Sequence, residues 1–293
     1  MPKTVAGGTR HPQKPKLGQH FLSSEPVARR IVDALGDLTQ RTVLEIGPGR
    51  GVLTLPLVHR ARRVIAIELD RVLAAQLRMK LALYPNVEII EGDILAIDLP
   101  ALFRPKPGLT RPGLTLAPDP VHVLGNLPYY ITSDILLHLF AARRCFDVLL
   151  LMVQKEVADR LAAQPGTRDY GLLTATAQLY AKVEKLFEVP PGSFSPPPKV
   201  HSAVVRLTLA PQIEHLQVAE EGFLDFLKLS FGQKRKTLWN NLRTKYPESA
   251  LRAALDHARV KPAMRAEALP LEKSAAIFRS LSSHNGNLGN IGK

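Results

Sequence analysis

Val43-Leu44-Glu45-Ile46-Gly47-Pro48-Gly49-Arg50-Gly51 decides the fold of this chain. An apolar run ends in three glycines at alternate positions, and a helical pattern follows. A strand that feeds a glycine-rich turn and then a helix brings backbone close to a ligand with no Cβ in the way. The spacing is G-x-G-x-G, whereas dinucleotide-binding turns carry G-x-G-x-x-G, so the motif speaks against a pyrophosphate-bearing cofactor.

Outward from this turn, short β-branched runs alternate with helical patterns. The runs predict strands at Thr42–Ile46, Val64–Glu68, Val87–Glu91, Val121–Leu124, Phe146–Val153, Lys182–Val189 and Ser202–Leu209. Helices are expected in most of the gaps, for example over Arg71–Leu83 and Ser133–Arg143. This alternation defines an α/β fold, a Rossmann-like domain with a parallel sheet between helical layers. The last two strands are joined by a proline-rich loop without a helix and predict an antiparallel edge. Upstream, Ser23-Ser24-Glu25-Pro26 opens a helix with serine as cap, Val27, Ile31 and Leu35 as its buried stripe and Gly36 at its end.

After Pro211 the strand signal stops, and apolar residues at helical spacing run to Ser283. Four segments follow: a flexible basic arm over 1–20, an α/β domain over 21–210, a small all-helical domain over 211–283, and a disordered tail over 284–293 rich in Gly and Asn. The arm carries Lys3, Arg10, Lys14 and Lys16 and no acid. Arg104–Pro120, dense in Pro and Gly, reads as an exposed loop with no assigned role.

Composition narrows the partner. The 293 residues include 39 Lys and Arg against 26 Asp and Glu, a net charge of +13 that favours polyanions, nucleic acid above all. Cys145 is the lone cysteine, which excludes an intrachain disulfide and a cysteine-rich zinc site; it reads as a small buried residue, and no metal is expected. The N-terminus has no apolar h-region, and the longest strongly apolar run, Val148–Val153, is far too short to span a bilayer. A cytoplasmic protein without membrane contact is expected.

Four successive predicted strands end in ligand-competent residues. Gly47 and Gly49 follow the first. Glu68 ends the second, where a carboxylate accepts ribose hydroxyls, and Asp93 follows the third, where it accepts from the amine of a bound adenine. Asn126 follows the fourth. Ligands of open α/β sheets bind at these carboxyl ends, so the set points to an adenosine-bearing cofactor without a pyrophosphate. S-adenosylmethionine fits.

Asn126-Leu127-Pro128-Tyr129 supplies the other half of the site. The lone pair of an exocyclic amine is delocalised into the purine ring, so methylating it needs acceptors that hold the NH2 while nitrogen turns pyramidal. The Asn126 side-chain oxygen and the Leu127 carbonyl, fixed by Pro128, supply two such acceptors. The Tyr129 ring offers a stacking face to a base turned out of its helix or loop. Phe194-Ser195-Pro196-Pro197-Pro198-Lys199 is a stiff loop between the last two strands that offers Phe194 as a second stacking face and Lys199 as a phosphate contact. Tyr130 reads as core.

On these residues the chain resembles the ribosomal RNA adenine N6,N6-dimethyltransferases over nearly its whole length. The resemblance rests on Leu17-Gly18-Gln19-His20-Phe21-Leu22, Glu45–Gly49, Glu68-Leu69-Asp70, Gly92-Asp93, Gly125–Tyr129, Val153–Val157, Tyr170-Gly171 and Phe194–Ser202. It implies cofactor contacts from His20 and Leu22 and cofactor roles for Gly47, Glu68, Asp93 and Asn126. Within the family, Phe231–Leu242 looks like the bacterial small-subunit branch, which dimethylates two adjacent adenosines in the 3′-terminal hairpin loop of 16S rRNA. The partner so implied is small-subunit ribosomal RNA in a pre-30S particle, met by a monomer. Lys234, Arg235, Lys236, Arg243 and Lys245 read as a basic cluster on a helical segment that binds phosphate and orients the RNA. The rival readings are a large-subunit RNA dimethyltransferase that confers antibiotic resistance, an assembly factor acting mainly by binding, a DNA adenine methyltransferase and a Rossmann oxidoreductase.

Overall fold

Burial and pairing place the glycine turn at the carboxyl end of an interior strand of a seven-stranded sheet. The computed structural model describes residues 20–103 and 121–288, with the backbone course alone for 284–288. The arm before His20, the stretch Arg104–Pro120 and the last five residues lie outside the described residues. In chain order the elements are β1 (Phe21–Leu22), α1 (Glu25–Asp33), β2 (Thr42–Ile46), α2 (Thr54–Val58), β3 (Arg63–Glu68), α3 (Arg71–Lys80), β4 (Val87–Glu91) and α4 (Leu99–Leu102). Then come β5 (Val121–Asn126), α5 (Thr132–Ala141), β6 (Phe146–Gln154), α6 (Lys155–Leu161), α7 (Leu172–Tyr180), β7 (Ala181–Val189), β8 (Phe194–Ser195) and β9 (Ser202–Leu209). The chain ends in α8 (Ile213–Leu216), α9 (Glu220–Ser230), α10 (Leu238–Leu242), α11 (Glu248–His257) and α12 (Leu271–Leu288).

The sheet order is β4-β3-β2-β5-β6-β9-β7. β4, β3, β2, β5 and β6 are parallel, and β9 pairs antiparallel with both β6 and β7. The expected antiparallel edge is therefore present, with β9 threaded between β6 and β7. Strand order reverses between β2 and β5, the topological switch point where such sheets bind ligands. Alternate residues of the central strands face opposite layers. Leu44, Ile46, Val123 and Leu149 pack with α5 and the C-terminal helices, while Val43, Val64, Leu124 and Leu150 pack with α1, α2 and α3.

Local chemistry sets several boundaries. Asp70 caps α3 by accepting from the Val72 and Leu73 amides at 2.8 and 3.2 Å, and Arg78 and Lys80 complement the dipole at the other end. Ser24 holds the capping position of α1 but makes no side-chain cap bond. Its amide and that of Ser23 donate to Ser193 O instead, because the N-terminal segment is tied to β8.

The C-terminal helices share their apolar core with the sheet domain through Tyr180, Leu216, Phe223 and Phe278. Glu220 of α9 accepts from Arg143 at 2.6 Å and from the Tyr180 hydroxyl at 2.8 Å, across the same junction. Two segments of this C-terminal region differ from the sequence expectation. α12 continues to Leu288, five residues into the stretch expected to be disordered. Lys234, Arg235 and Lys236 lie on the exposed turn between α9 and α10, and Arg243 and Lys245 lie just past α10, so the basic cluster is not helical. Thr237 starts α10 by accepting from the Asn240 amide, which leaves the three preceding cations outside the helix.

Candidate active site

The carboxyl ends of β2, β3, β4 and β5 open into one cleft. It is lined by Gly47 and Gly49 from the glycine turn, Glu68 and Leu69 after β3, Asp93 after β4 and Asn126 to Ile131 after β5. His20 and Phe21 close it from the N-terminal side. The structure thus brings together His20, Gly47, Gly49, Glu68, Asp93, Asn126, Leu127, Pro128 and Tyr129 of the residues expected at the site.

Gly47 and Gly49 have φ of +66° and +55°, the left-handed region that costs other residues dearly. A Cβ on Gly49 would stand 2.9 Å from Phe21 Cδ1, so the turn and the N-terminal strap are fitted to each other. Glu68 holds this turn from below. One carboxylate oxygen accepts from the Gly49 amide and the other from the Asp70 amide, each at 2.9 Å, with the side chain buried. Asp93, exposed on the cleft lining, accepts from the Leu95 amide through one oxygen at 2.9 Å, which caps a short 3₁₀ turn.

Asn126 is oriented by its neighbours. Its side-chain NH2 donates to the His20 carbonyl at 3.1 Å, which aims the amide oxygen away from that strap. The Leu127 amide donates to Met152 O at 3.0 Å, fixing the peptide plane that leads into Pro128. Tyr129 shares a 2.9 Å hydrogen bond with the Ser202 hydroxyl, and Thr132 Oγ1 donates to Pro128 O at 3.0 Å. Hydrogen bonds thus hold the tetrapeptide at both ends.

Two expected residues are placed elsewhere. Phe194 is buried, 4% exposed, and does not line the cleft. β1 and β8 pair antiparallel with Leu22 opposite Phe194, and both side chains turn into the core beside Ile31 and Val189. The aromatic neighbour of Tyr129 is His20, with ring centroids 5.9 Å apart, and His20 Nδ1 lies 2.9 Å from Pro196 O. The Leu22 side chain is equally remote, and Phe21 takes its place on the cleft under the Arg50 guanidinium at 5.0 Å. The quoted Leu17–Leu22 motif contains Phe21, but nothing in a two-residue strand shows which ring faces in. Lys199 is exposed on the loop after β8.

Beneath the turn, Glu45 is 1% exposed with neither oxygen hydrogen-bonded. Burial pushes its carboxyl up from 4.5 to about 8; the Thr54 hydroxyl, facing it without good hydrogen-bond geometry, offsets part of this, and Glu68 adds to it. Below about pH 4.5 the carboxyl is protonated in folded and unfolded chains alike. Above that the unfolded chain releases a proton that the folded chain keeps, so stability falls by up to about 1.4 kcal/mol per pH unit until the folded value is passed. Glu45→Gln is therefore expected to be more stable than the parent at pH 8, by a few kcal/mol, with the gap closing toward pH 5. Urea unfolding across that range checks it, and parallel curves would contradict the buried-acid reading.

Among the described residues, no group of three His, Cys, Asp or Glu is placed to hold a metal, and no helix is long and apolar enough to cross a membrane.

The parallel sheet with its switch-point cleft, glycine cradle, buried Glu68, Asp93 and Asn126-Leu127-Pro128-Tyr129 define an S-adenosylmethionine-dependent methyltransferase of amino groups. The chain belongs to the ribosomal RNA adenine dimethylase family, whose pattern it matches over residues 10–283. It is 55% identical over 282 residues to the ribosomal RNA small subunit methyltransferase A of Koribacter versatilis, covering 96% of this chain and 99% of that one. The protein of the same name from Acidobacterium capsulatum is 52% identical over 273 residues, covering 93% and 92% of the two chains. Among solved structures, a dimethyladenosine transferase from Plasmodium falciparum superposes with a TM-score of 0.69 at 25% identity, over 92% of this chain and 98% of the other. The 23S rRNA methyltransferase ErmE gives 0.66 at 30% identity, over 89% and 99%.

Proposed function

We propose that this protein transfers methyl groups from S-adenosylmethionine to N6 of two adjacent adenosines in the 3′-terminal hairpin loop of small-subunit ribosomal RNA. It acts as a monomer on a pre-30S particle in the cytoplasm. The observation that carries the reading is the juxtaposition of Asn126-Leu127-Pro128-Tyr129 with the glycine cradle, Glu68 and Asp93 in one cleft. The high identity to proteins named for the small subunit favours that substrate over the large subunit.

The donor set fits the cofactor. Glu68 would take the ribose hydroxyls, Asp93 the adenine amine, and the Cβ-free turn at Gly47 and Gly49, beside His20 and Phe21, would receive the amino-acid end. When bound, S-adenosylmethionine supplies an electrophilic methyl group on a sulfonium sulfur. The chain's own residues prepare the acceptor. Asn126 Oδ1 and the Leu127 carbonyl accept the two N–H bonds of the target amine, drawing its lone pair out of conjugation and toward the cleft. Both acceptors favour the positive charge that develops on nitrogen, and each is held by a hydrogen bond to the fold, which is how preorganised electrostatics acts. No strong base is needed, because a methylated amino group on a purine loses its proton readily to water. Tyr129 stacks on the target base. Lys199 and the exposed turn carrying Lys234, Arg235 and Lys236, with Arg243 and Lys245 nearby, hold phosphates and set the approach of the RNA.

Transfer of labelled methyl to unmethylated small and large subunits in parallel tests the substrate. Label in the small subunit alone is expected. Label in the large subunit alone would overturn the assignment.

A further inference from the structure

A base that leaves its stack to enter a cleft strips one stacking face from the nucleotide beside it. The mouth of the cleft carries an aromatic ring that the fold does not use. Tyr130 follows Tyr129 on the 3₁₀ turn Tyr129–Ile131, lines the cleft and is 62% exposed, where the sequence suggested core. Its side chain has no hydrogen bond, ion pair or ring contact with any described residue.

The backbone beneath Tyr130 is fixed. The Ile131 amide donates to Pro128 O at 3.3 Å, the Thr132 hydroxyl donates to the same carbonyl, and Tyr129 is tied to Ser202. α5 then buries Ile135 and Leu136 at once, so the turn cannot fold its second tyrosine inward without unseating the helix. Single exposed aromatics are common and by themselves call for no explanation. This one is set on a rigid turn directly beside the residue that meets the target base, and a rigid ring gives contact area at low entropic cost.

We propose that Tyr130 forms a second base subsite, its ring stacking on the nucleobase that adjoins the target adenine. The inference rests on the RNA adenine methylation proposed above. Base–aromatic stacking tolerates any base, because each has a π face. The subsite therefore makes no demand on the identity of the base beside the target. Tyr129 and Tyr130 together would hold two consecutive bases apart, one in the reaction site and one at its rim.

The test is a cycle between protein and RNA. Small subunits are reconstituted with rRNA that is intact, or that carries an abasic nucleotide next to the target. On intact subunits Tyr130→Ala is expected to lower kcat/KM about tenfold, mainly through KM. Tyr130→Phe, which keeps the ring, should stay within about twofold of the parent. S-adenosylmethionine affinity, measured by calorimetry, should be unchanged in both variants. On abasic subunits the parent should fall to the level of Tyr130→Ala, and the variant should lose nothing more. Equal losses from the variant on both substrates, no loss on either, or a Phe variant as weak as the Ala variant would overturn the subsite. Absence of transfer by the parent protein to intact subunits would instead overturn the functional reading on which the subsite depends.

Discussion

Asn126→Ala is expected to lower the turnover number for methyl transfer by about a thousandfold, the scale seen when a preorganised polar group is removed from a transition state. RNA binding should stay within a few-fold, because phosphate contacts on the outer surface carry most of that affinity. The reason lies in the geometry of the amide. Its NH2 is committed to the His20 carbonyl at 3.1 Å, so the oxygen is the end left for the target amine. Alanine removes that acceptor and frees the His20 strap together. Asn126→Asp separates the two effects: it keeps an acceptor oxygen but cannot donate to His20 O, and it places a carboxylate against that carbonyl. An aspartate variant with more residual turnover than alanine, and with weakened cofactor binding, is expected. Single-turnover transfer with saturating RNA reads the first quantity and calorimetry with S-adenosylmethionine the second. Loss of RNA affinity equal to the loss of turnover would contradict this division of labour.

Glu68→Ala is expected to weaken S-adenosylmethionine binding by at least a hundredfold. The carboxylate is 3% exposed and accepts two backbone amides, Gly49 and Asp70, one on each oxygen. Hydrogen bonds to a charged group contribute about 1.5–3 kcal/mol each, and removing the acceptor leaves its donors unpaired in a buried place. The variant thus loses the ribose acceptor and the support of the glycine turn at the same time. Glu68→Gln distinguishes charge and geometry from volume. Glutamine offers one oxygen and one NH2, whereas both fixed neighbours are donors, so one amide must face another N–H. It should bind the cofactor almost as poorly as alanine while losing less stability. A glutamine variant within about threefold of the parent would contradict the role given to Glu68 here.

Most of the frame is readable from the chain, because strand and helix periods are local. All seven main strands begin and end within two residues of where their apolar runs predict them, and the antiparallel edge follows from the missing helix between the last two. The cofactor half of the cleft is readable for a related reason: Gly47, Glu68, Asp93 and Asn126 all sit where a strand stops, and strand ends converge in a parallel sheet. The target half is only partly so. Asn126 and Tyr129 announce themselves by their tetrapeptide, but Phe194 turns inward and Tyr130 outward, opposite to expectation. β1 and β8 are two residues each, too short to carry a period, and their pairing decides which rings reach the cleft. The side that Phe194 faces depends on a partner more than 170 residues away, so no local pattern encodes it. Thr237 is a good helix cap, and its cap bond sets the start of α10 beyond the cations at 234–236.

The measurement that reaches the central claim most directly is nucleoside analysis of small-subunit RNA after incubation with the protein and S-adenosylmethionine, beside the same reaction with Asn126→Ala. N6,N6-dimethyladenosine is the expected product, formed on two adjacent adenosines by the parent protein and nearly absent with the variant. A methyl group on any other base or ring position, or equal dimethylation by the variant, would contradict it.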